Sequence, residues 1–591
     1  MVRDSRAIGF QGKPRPMKSR LLPFLMLSSG VFAGCGDDAN EADAATTTDA
    51  AVDGAAGDAS DSATPPTVRV PMLGATQALA ALQGRVSTPA AGQEDIGYLS
   101  TDLGHVVAHD GVLRVLFGDA CADDACTPTD PTADDVQGEI SLQDFPDGAA
   151  VDDYVAMHPA PSGEPSWQAA APPVTMRVSA GGRVASIQVL RDGTPLYMGV
   201  FRAPTAAFSN GRDGMFALFA RNVGMECSGG SEPTCEEGFT CDAGLGRCGG
   251  TSDDWIIPCE LGTTVCACEA VAGGGYCQDR SSSYYDGASS DGRLLSIAQV
   301  TEIGNADPDV HEIYYAQPWY THKFANPALR AVEDFDPARA GGAGNDYRIA
   351  DGAGDTASEK VLIWGRPNLV GVRALGKDAK LYFAYADMPE YDPSGRFAWE
   401  PRYFTGLEDG VPQFSPAQED AVPLDLSGGD DPTLERHDIV NNMSISFVRA
   451  LDRWVMLYGG DLQGASLVYF VGAGALSTAR DPEGAIHVRY ASQPWGPWSP
   501  PEQVLLGGDP NVSPPVDGTQ YGPGGILFHP ECTTDCAPRE PMLPTERGYL
   551  YGSYIVDPWT TERNGGAVDL YWNVSTWNPY GVVLMRTRIE P

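Results

Sequence analysis

Short apolar runs broken by tight polar turns dominate the chain, and long helical periods are scarce. The sharpest case runs from Thr101 to Asp119, where Val106–His109 and Val112–Phe117 flank Asp110-Gly111. Asp-Gly between apolar runs predicts a hairpin, because a two-residue type I′ turn needs positive φ at both positions. The pattern of apolar strand, tight turn and aromatic-rich strand returns at Phe208–Ala220 around Asp213-Gly214 and at Leu369–Tyr385 through Gly376-Lys377-Asp378. It returns again at Ser444–Tyr458, turning at Leu451-Asp452, and at Gly525–Tyr554, where a loop with Cys532 and Cys536 enlarges the tip. One short helix is expected over Ala75–Leu82. Hairpins repeated at long, irregular intervals predict an all-β fold, a five-bladed β-propeller with insertions on its loops. Two stacked sandwiches are the structural alternative.

The first hairpin also carries candidate chemistry. With Asp110-Gly111 as the loop, His109 faces Val112 and Asp102 faces Asp119. Directly opposed residues share a face, with Cβ atoms about 4.5–5.5 Å apart. A structural sheet avoids like charges there, whereas a glycosidase needs two close carboxyl groups, one of them kept protonated. A bulge at Gly104 or Gly118 would slip this register.

Composition narrows the class. The chain of 591 residues holds 69 Gly and 47 Pro, which suits one large β-rich body. Net charge is −40; the first 35 residues contribute +5 and residues 36–68 contribute −8, which leaves −37 on the rest. Such a body repels nucleic acid, anionic lipid and polyanionic glycans, so no nucleic-acid partner is expected and a neutral or cationic substrate fits better. Much of this acid also serves solubility.

Residues 1–35 read as a lipoprotein signal peptide. Met17-Lys18-Ser19-Arg20 is basic, Leu21–Phe32 is a short apolar core, and Phe32-Ala33-Gly34-Cys35 places small residues before a cysteine. Cys35 is the expected lipidation site, which anchors the chain in the bacterial cell envelope. Residues 36–68, rich in Ala, Asp, Thr and Ser, read as a flexible acidic tether. Residues 69–591 form the predicted propeller.

Setting Cys35 aside leaves twelve of the 13 cysteines, an even number that suits disulfides in an exported chain. Cys121 with Cys126 and Cys532 with Cys536 are close pairs. Cys227, Cys235, Cys241, Cys248, Cys259, Cys266, Cys268 and Cys277 cluster in a Gly-rich insert, 224–282, which reads as a disulfide-stapled module. Zinc is disfavoured there because the insert holds no histidine. Gly244-x-Gly246-x-x-Gly249 matches a dinucleotide fingerprint but lacks the strand-to-helix setting that gives it meaning.

An ordered set of motifs resembles a known family. It comprises Ser100-Thr101-Asp102-Leu103-Gly104, Leu116-Phe117-Gly118-Asp119, Val361-Leu362-Ile363-Trp364-Gly365-Arg366, Met443-Ser444-Ile445-Ser446, Arg453-Trp454-Val455-Met456-Leu457-Tyr458, Tyr490-Ala491, Pro494-Trp495-Gly496-Pro497-Trp498-Ser499, Tyr571–Tyr580 and Val582–Arg586. Over about residues 90–588 the chain resembles the five-bladed propeller glycoside hydrolases that include endo-D-arabinanases, long catalogued as a domain of unknown function. The resemblance implies an axial substrate cleft and an aspartate pair that cuts furanosidic linkages in a polysaccharide or oligosaccharide. Carried over by motif, that pair is Asp102 and Asp119. Close opposition points to a retaining route, with Asp102 as nucleophile and Asp119 as acid/base. Related propellers often carry Glu where this chain has Asn442. An amide is neither acid nor base, but it binds a sugar hydroxyl or orients a carboxylate. The rival reading is therefore a non-catalytic carbohydrate-binding propeller.

Further substrate-binding candidates are Arg366, Trp364, His529 and Trp572, each with a plainer alternative. Arg366 equally suits a salt bridge between blades, His529 suits loop packing, and Trp572 or Trp577 suits the core. His105 reads as a buried strand histidine. No G-x-S-x-G, H-E-x-x-H or P-loop motif is present, and no metal centre or cofactor is expected. A structural calcium at Gly428-Gly429-Asp430-Asp431 has too few ligands to form a strong signal. The Cys-rich insert also suits an adhesion or scaffold role.

Overall fold

The computed structural model describes residues 71–84, 96–121, 135–162, 168–178, 182–191, 194–195, 203–212, 214–221, 241–242, 247–248, 266–271, 274–279, 293–300, 312–321, 323–324, 326–342, 345, 347, 359–366, 380–390, 392, 397–426, 440–459, 486–505, 550–576 and 581–591. All belong to the unit Val68–Pro591. Among them the architecture is mostly β, in several antiparallel sheets without a closed barrel.

Strand β1 (Met72–Gly84) precedes the first sheet, which is built of β2 (Ser100–His109), β3 (Val112–Cys121) and β4 (Val136–Ser141), with Thr175–Met176 at its edge. The second sheet holds β5 (Ile187–Arg191), β6 (Ala203–Ser209), β7 (Met215–Arg221), β8 (Arg293–Val300) and β9 (Glu312–Thr321). Its spatial order is β6-β7-β8-β9-β5, and β5 runs parallel to β9. The third sheet follows in order: β10 (Asn326–Val332), β11 (Lys360–Arg366), β12 (Tyr382–Asp387), β13 (Arg402–Glu408) and β14 (Val411–Ser415). The fourth holds β15 (Val440–Val448), β16 (Arg453–Gly459), β17 (Ile486–Ala491) and β18 (Glu502–Leu505). The fifth takes β19 (Leu550–Ile555), β20 (Val568–Thr576) and β21 (Gly581–Glu590), and β1 completes it beside β21. The lead strands β2, β6, β10, β15 and β19 touch in a closed cycle, each meeting the next and β19 meeting β2.

Local sequence explains the hairpins. Asp110 and Gly111 both take positive φ, 51° and 71°, as the type I′ turn between β2 and β3 requires. Asn210 organises the turn between β6 and β7, its side-chain oxygen accepting from the backbone of Arg212 and Gly214, both at 2.9 Å. Asp452, at φ 50°, closes the turn between β15 and β16. Of the hairpin expected at Leu369–Tyr385, residues 369–379 lie outside the described residues; its second arm falls in β12, which pairs with β11. Of the last expected hairpin, the first arm and the enlarged tip lie outside the described residues; Leu550–Ile555 pairs with the strand that follows it, β20.

Ala75–Leu82, expected as a helix, is part of β1. This strand has two buried faces. Ala78 and Ala81 pack into the core between the fourth and fifth sheets, while Leu79, Ala80 and Leu82 enter the core between the fifth and first. Small apolar residues on both faces erase the alternation that marks a half-buried strand. The ladder to β21 supplies the backbone partners that a helix would otherwise find internally.

The Cys-rich insert falls between β7 and β8, inside the second sheet. Its described pieces are two short ladders in which Cys241 faces Cys248 and Cys268 faces Cys277.

Candidate functional site

Asp102 lies near the start of lead strand β2 and is 6 % exposed. From His109↔Val112 to His105↔Leu116 the register runs as the turn dictates. Two irregularities then interrupt it, at Gly104 and opposite Thr101, and Asp102 faces Gly118. The direct opposition of Asp102 and Asp119 expected from the turn is therefore corrected. Asp119 shares with Ala120 the two-residue bulge opposite Thr101, and its side chain lies outside the described residues.

The bulge is held from several sides. Leu103 adopts φ 61° and Gly104 φ 84°. Positive φ is unusual for leucine, and surrounding structure must impose it. Ser575 on β20 donates from Oγ to the Leu103 carbonyl at 2.8 Å, and Asn573 donates from Nδ2 to the Gly104 carbonyl at 2.6 Å. Thr101 donates to the Gly118 carbonyl at 2.6 Å. Tyr551 on β19 donates its phenol proton to Asp102 Oδ2 at 2.5 Å. A Cβ on Gly118 would lie 2.9 Å from Asp102 Oδ1, so the carboxylate leans over a residue with no side chain. Tyr98 is fully buried beside this point, and desolvation keeps its phenol protonated.

Deeper along the lead strands, side chains tie neighbours together. Asn326 on β10 donates to Asn442 Oδ1 at 3.0 Å, and Asn442 on β15 donates in turn to the Tyr554 hydroxyl on β19. The Tyr554 ring meets that of His105 with centroids 3.7 Å apart. Burial, and then the positive field of Arg330, lower the His105 pKa to about 3, so its ring is neutral. A cavity of about 10 Å³, lined from all five lead strands by His105, Ala207, Arg330, Ser444 and Tyr554 among others, has room for a single water. Beyond it, Arg330 donates to Ser444 Oγ at 3.0 Å and pairs with Asp557 at 3.4 Å, and Ser446 also donates to Asp557. Among the described residues, a second cavity of about 30 Å³ lies beside this cluster, lined by Val106, Ser209, Arg330 and Asp557 among others, and Asp102 stands at the end where the lead strands begin.

The structure sorts the sequence candidates. Arg366 is buried on β11 and faces Asn326 across the ladder, one hydrogen bond from Asn442. The latter is itself buried, with its amide engaged at both ends. Two expectations are corrected. Trp364 has no exposed surface; its indole donates to the Pro494 carbonyl at 2.6 Å and its rings pack on Phe383 and Trp454. Trp572 is equally buried, and its indole donates to Thr587 at 2.9 Å. Neither offers a ring face to a sugar, because burial of large aromatic area outweighs what an exposed stacking site would gain. His529, Trp577, Cys35, Cys126, Cys227, Cys235, Cys259, Cys532, Cys536 and the calcium candidate at 428–431 lie outside the described residues. Among the described residues no group of three His, Cys, Asp or Glu is placed to hold a metal ion.

Tyr551, Ser575 and Asn573 escaped the sequence reading. An aromatic run at Tyr549–Tyr554 marks a strand, yet nothing local says that its second tyrosine, Tyr551, meets an aspartate 449 positions away.

No family profile and no curated protein sequence matches the chain. Among solved structures, it is similar to a sialidase of Trypanosoma rangeli in complex with 2,3-difluoro-KDN, at 9 % identity and TM-score 0.24, over 83 % of this chain and 54 % of that one. The same sialidase with sialic acid gives 9 % identity and TM-score 0.26, over 88 % and 59 %. A neuraminidase-like protein from A/bat/Guatemala/164/2009 gives 7 % identity and TM-score 0.25, over 87 % and 96 %. The chain spans little more than half the length of the sialidase structures it matches.

Proposed function

We propose that the chain is an exported lipoprotein whose five-bladed β-propeller is a glycoside hydrolase, cleaving furanosidic, arabinan-like linkages in a neutral polysaccharide. The observation that carries the reading is the state of Asp102. It is a nearly buried carboxylate at the axial end of the lead strands, with the two residues after it pinned by β20 and one oxygen engaged by Tyr551. A carboxyl group fixed in one orientation is what attack on, or proton transfer to, a bound sugar requires. The closed cycle of lead strands supports five blades. In the proposed reaction Asp102 attacks the anomeric carbon and Asp119 protonates the departing glycosidic oxygen. Water, deprotonated by Asp119, then releases the sugar from Asp102.

The remaining assignments belong to the same reading: a signal peptide over 1–35 with lipid on Cys35, an acidic tether over 36–68, and a disulfide-stapled module over 224–282. Cys121, which is disulfide-bonded, and the facing cysteines of the insert support an oxidised, exported chain. A surplus of −37 on the body supports a substrate without negative charge.

Asn442 favours a second reading, in which the propeller binds carbohydrate without cutting it. One experiment separates the two. The purified chain, Asp102→Asn and Asp119→Asn are incubated with a panel of plant and bacterial arabinans and galactans, and products are measured. Release by the parent and loss in both variants, with folding intact, establishes the hydrolase. Binding of one glycan without release, unchanged in both variants, establishes the lectin-like alternative.

A further inference from the structure

We infer that Tyr551 is a positioning residue for Asp102: its phenol, with Ser575 and Asn573 behind it, orients the carboxylate and keeps it ionised, which makes Asp102 the nucleophile or base rather than the proton donor. The functional meaning of this inference rests on the hydrolase reading above; its geometry does not.

Three contacts from the fifth sheet meet three consecutive residues of β2. Tyr551 holds Oδ2 of Asp102, Ser575 holds the carbonyl of Leu103, and Asn573 holds the carbonyl of Gly104. Tyr551 and Ser575 are themselves paired across the β19–β20 ladder. The clamp is therefore one rigid piece of sheet and not three independent loops. Just after Tyr551, Gly552 takes φ 57° and the ladder shifts before Tyr554, which separates the tasks of the two tyrosines. Tyr551 reaches the carboxylate, whereas Tyr554 reaches Asn442 and His105.

Tyr551 is the donor to Asp102 Oδ2. A donor on a carboxylate favours its charged form. Among the described side chains, the other titratable groups on the neighbouring strands are Tyr98 before β2, His105 on β2, Tyr554 on β19 and Asp135. Val136 faces Phe117, so Asp135 stands level with Gly118. Tyr98 and His105 are neutral, and Asp135, when ionised, opposes the charge on Asp102. The Tyr551 proton counters that repulsion and the desolvation of Asp102.

The test compares the parent chain with Tyr551→Phe. The titration of the Asp102 carboxyl carbon is followed by aspartate-selective 13C NMR, assigned by difference from Asp102→Asn. The midpoint is expected to rise by about one unit or more in Tyr551→Phe. In turnover of whichever glycan the parent cleaves, the acidic limb of kcat/KM is expected to move up by the same amount, with kcat lowered more than KM is raised. Ser575→Ala is expected to lower kcat and leave the midpoint in place. Incorporation of 3-fluorotyrosine at 551, a stronger donor of the same shape, is expected to move the midpoint down. A midpoint unchanged in both Tyr551 variants overturns the inference, even if the chain is an active hydrolase. A shifted midpoint in a chain that cleaves no glycan upholds the positioning role and sinks the hydrolase reading instead.

Discussion

Asp102 owes its surroundings to a backbone conformation that leucine avoids and glycine supplies. Gly104 stands at φ 84°, and a Cβ there would come within 2.9 Å of Val582. Gly104→Ala should therefore cost about 2 kcal/mol or more, since left-handed strain adds to a clash in the core. Gly111→Ala, at φ 71° with nothing within 4 Å, should cost only the strain, about 1–2 kcal/mol. Chemical denaturation of both variants checks the difference, and only Gly104→Ala should also impair turnover. His105 gives a pH signature. Its folded-state pKa is about 3 against an ordinary 6.5, so the unfolded chain takes up this proton first as pH falls. The stability tied to its neutral ring is complete above pH 6.5 and drains away toward pH 3, by up to about 1.4 kcal/mol per pH unit. Melting temperatures from pH 7 to 4 should fall less steeply in His105→Gln than in the parent. For Trp572, Ala in its place should cost about 3–5 kcal/mol of stability as a buried indole is lost. Glycan affinity of whatever Trp572→Phe protein remains folded should match the parent, because the ring faces the core.

Among the elements, the hairpins were legible in sequence and β1 was not. Asp110-Gly111, Asn210–Gly214 and Asp452 each encode a turn within a few residues, through backbone preference and one side-chain hydrogen bond. β1 has no such local mark. It is a strand because β21 offers a free edge and two sheets offer apolar surfaces on either side. Leu82→Ala should then destabilise the whole body by about 2–4 kcal/mol, as expected for a core position. Ala80→Asp, placing an unpaired charge where Ala80 is fully buried, should prevent folding. Soluble yield and the urea midpoint of the two variants check both outcomes.

Across the molecule, four apolar clusters join the second sheet to the third, the third to the fourth, the fourth to the fifth, and the fifth to the first. Among the described residues, the seam between the first and second sheets is different. It carries buried His105, Arg114, Asp135, Gln137, Ser186 and Ser209, with Arg114 bound to Glu139 and His109 to Ser209 at 2.8 Å. Polar contacts yield less net free energy per residue than apolar burial, because they replace contacts with water. This seam should therefore open first. Hydrogen exchange at rising urea is expected to deprotect β6 and the outer strands of the second sheet before β15 and β16. Simultaneous exchange in all sheets would show the assembly to be fully cooperative.

By itself the sequence determined the β class and the turns at Asp110-Gly111, Asn210–Gly214 and Asp452. Those features depend on φ preferences, side-chain alternation and motifs spanning a few residues. Only the tertiary structure decided that two irregularities set Asp102 against Gly118 and not against Asp119. It alone turned an alanine-rich segment into the strand that completes the last sheet, buried Trp364 and Trp572, and brought Tyr551 to a carboxylate 449 residues away. The reason is physical. Register past a bulge and contact between distant strands are set by how whole sheets bury their faces against one another, and that free energy is not written in any short stretch of chain.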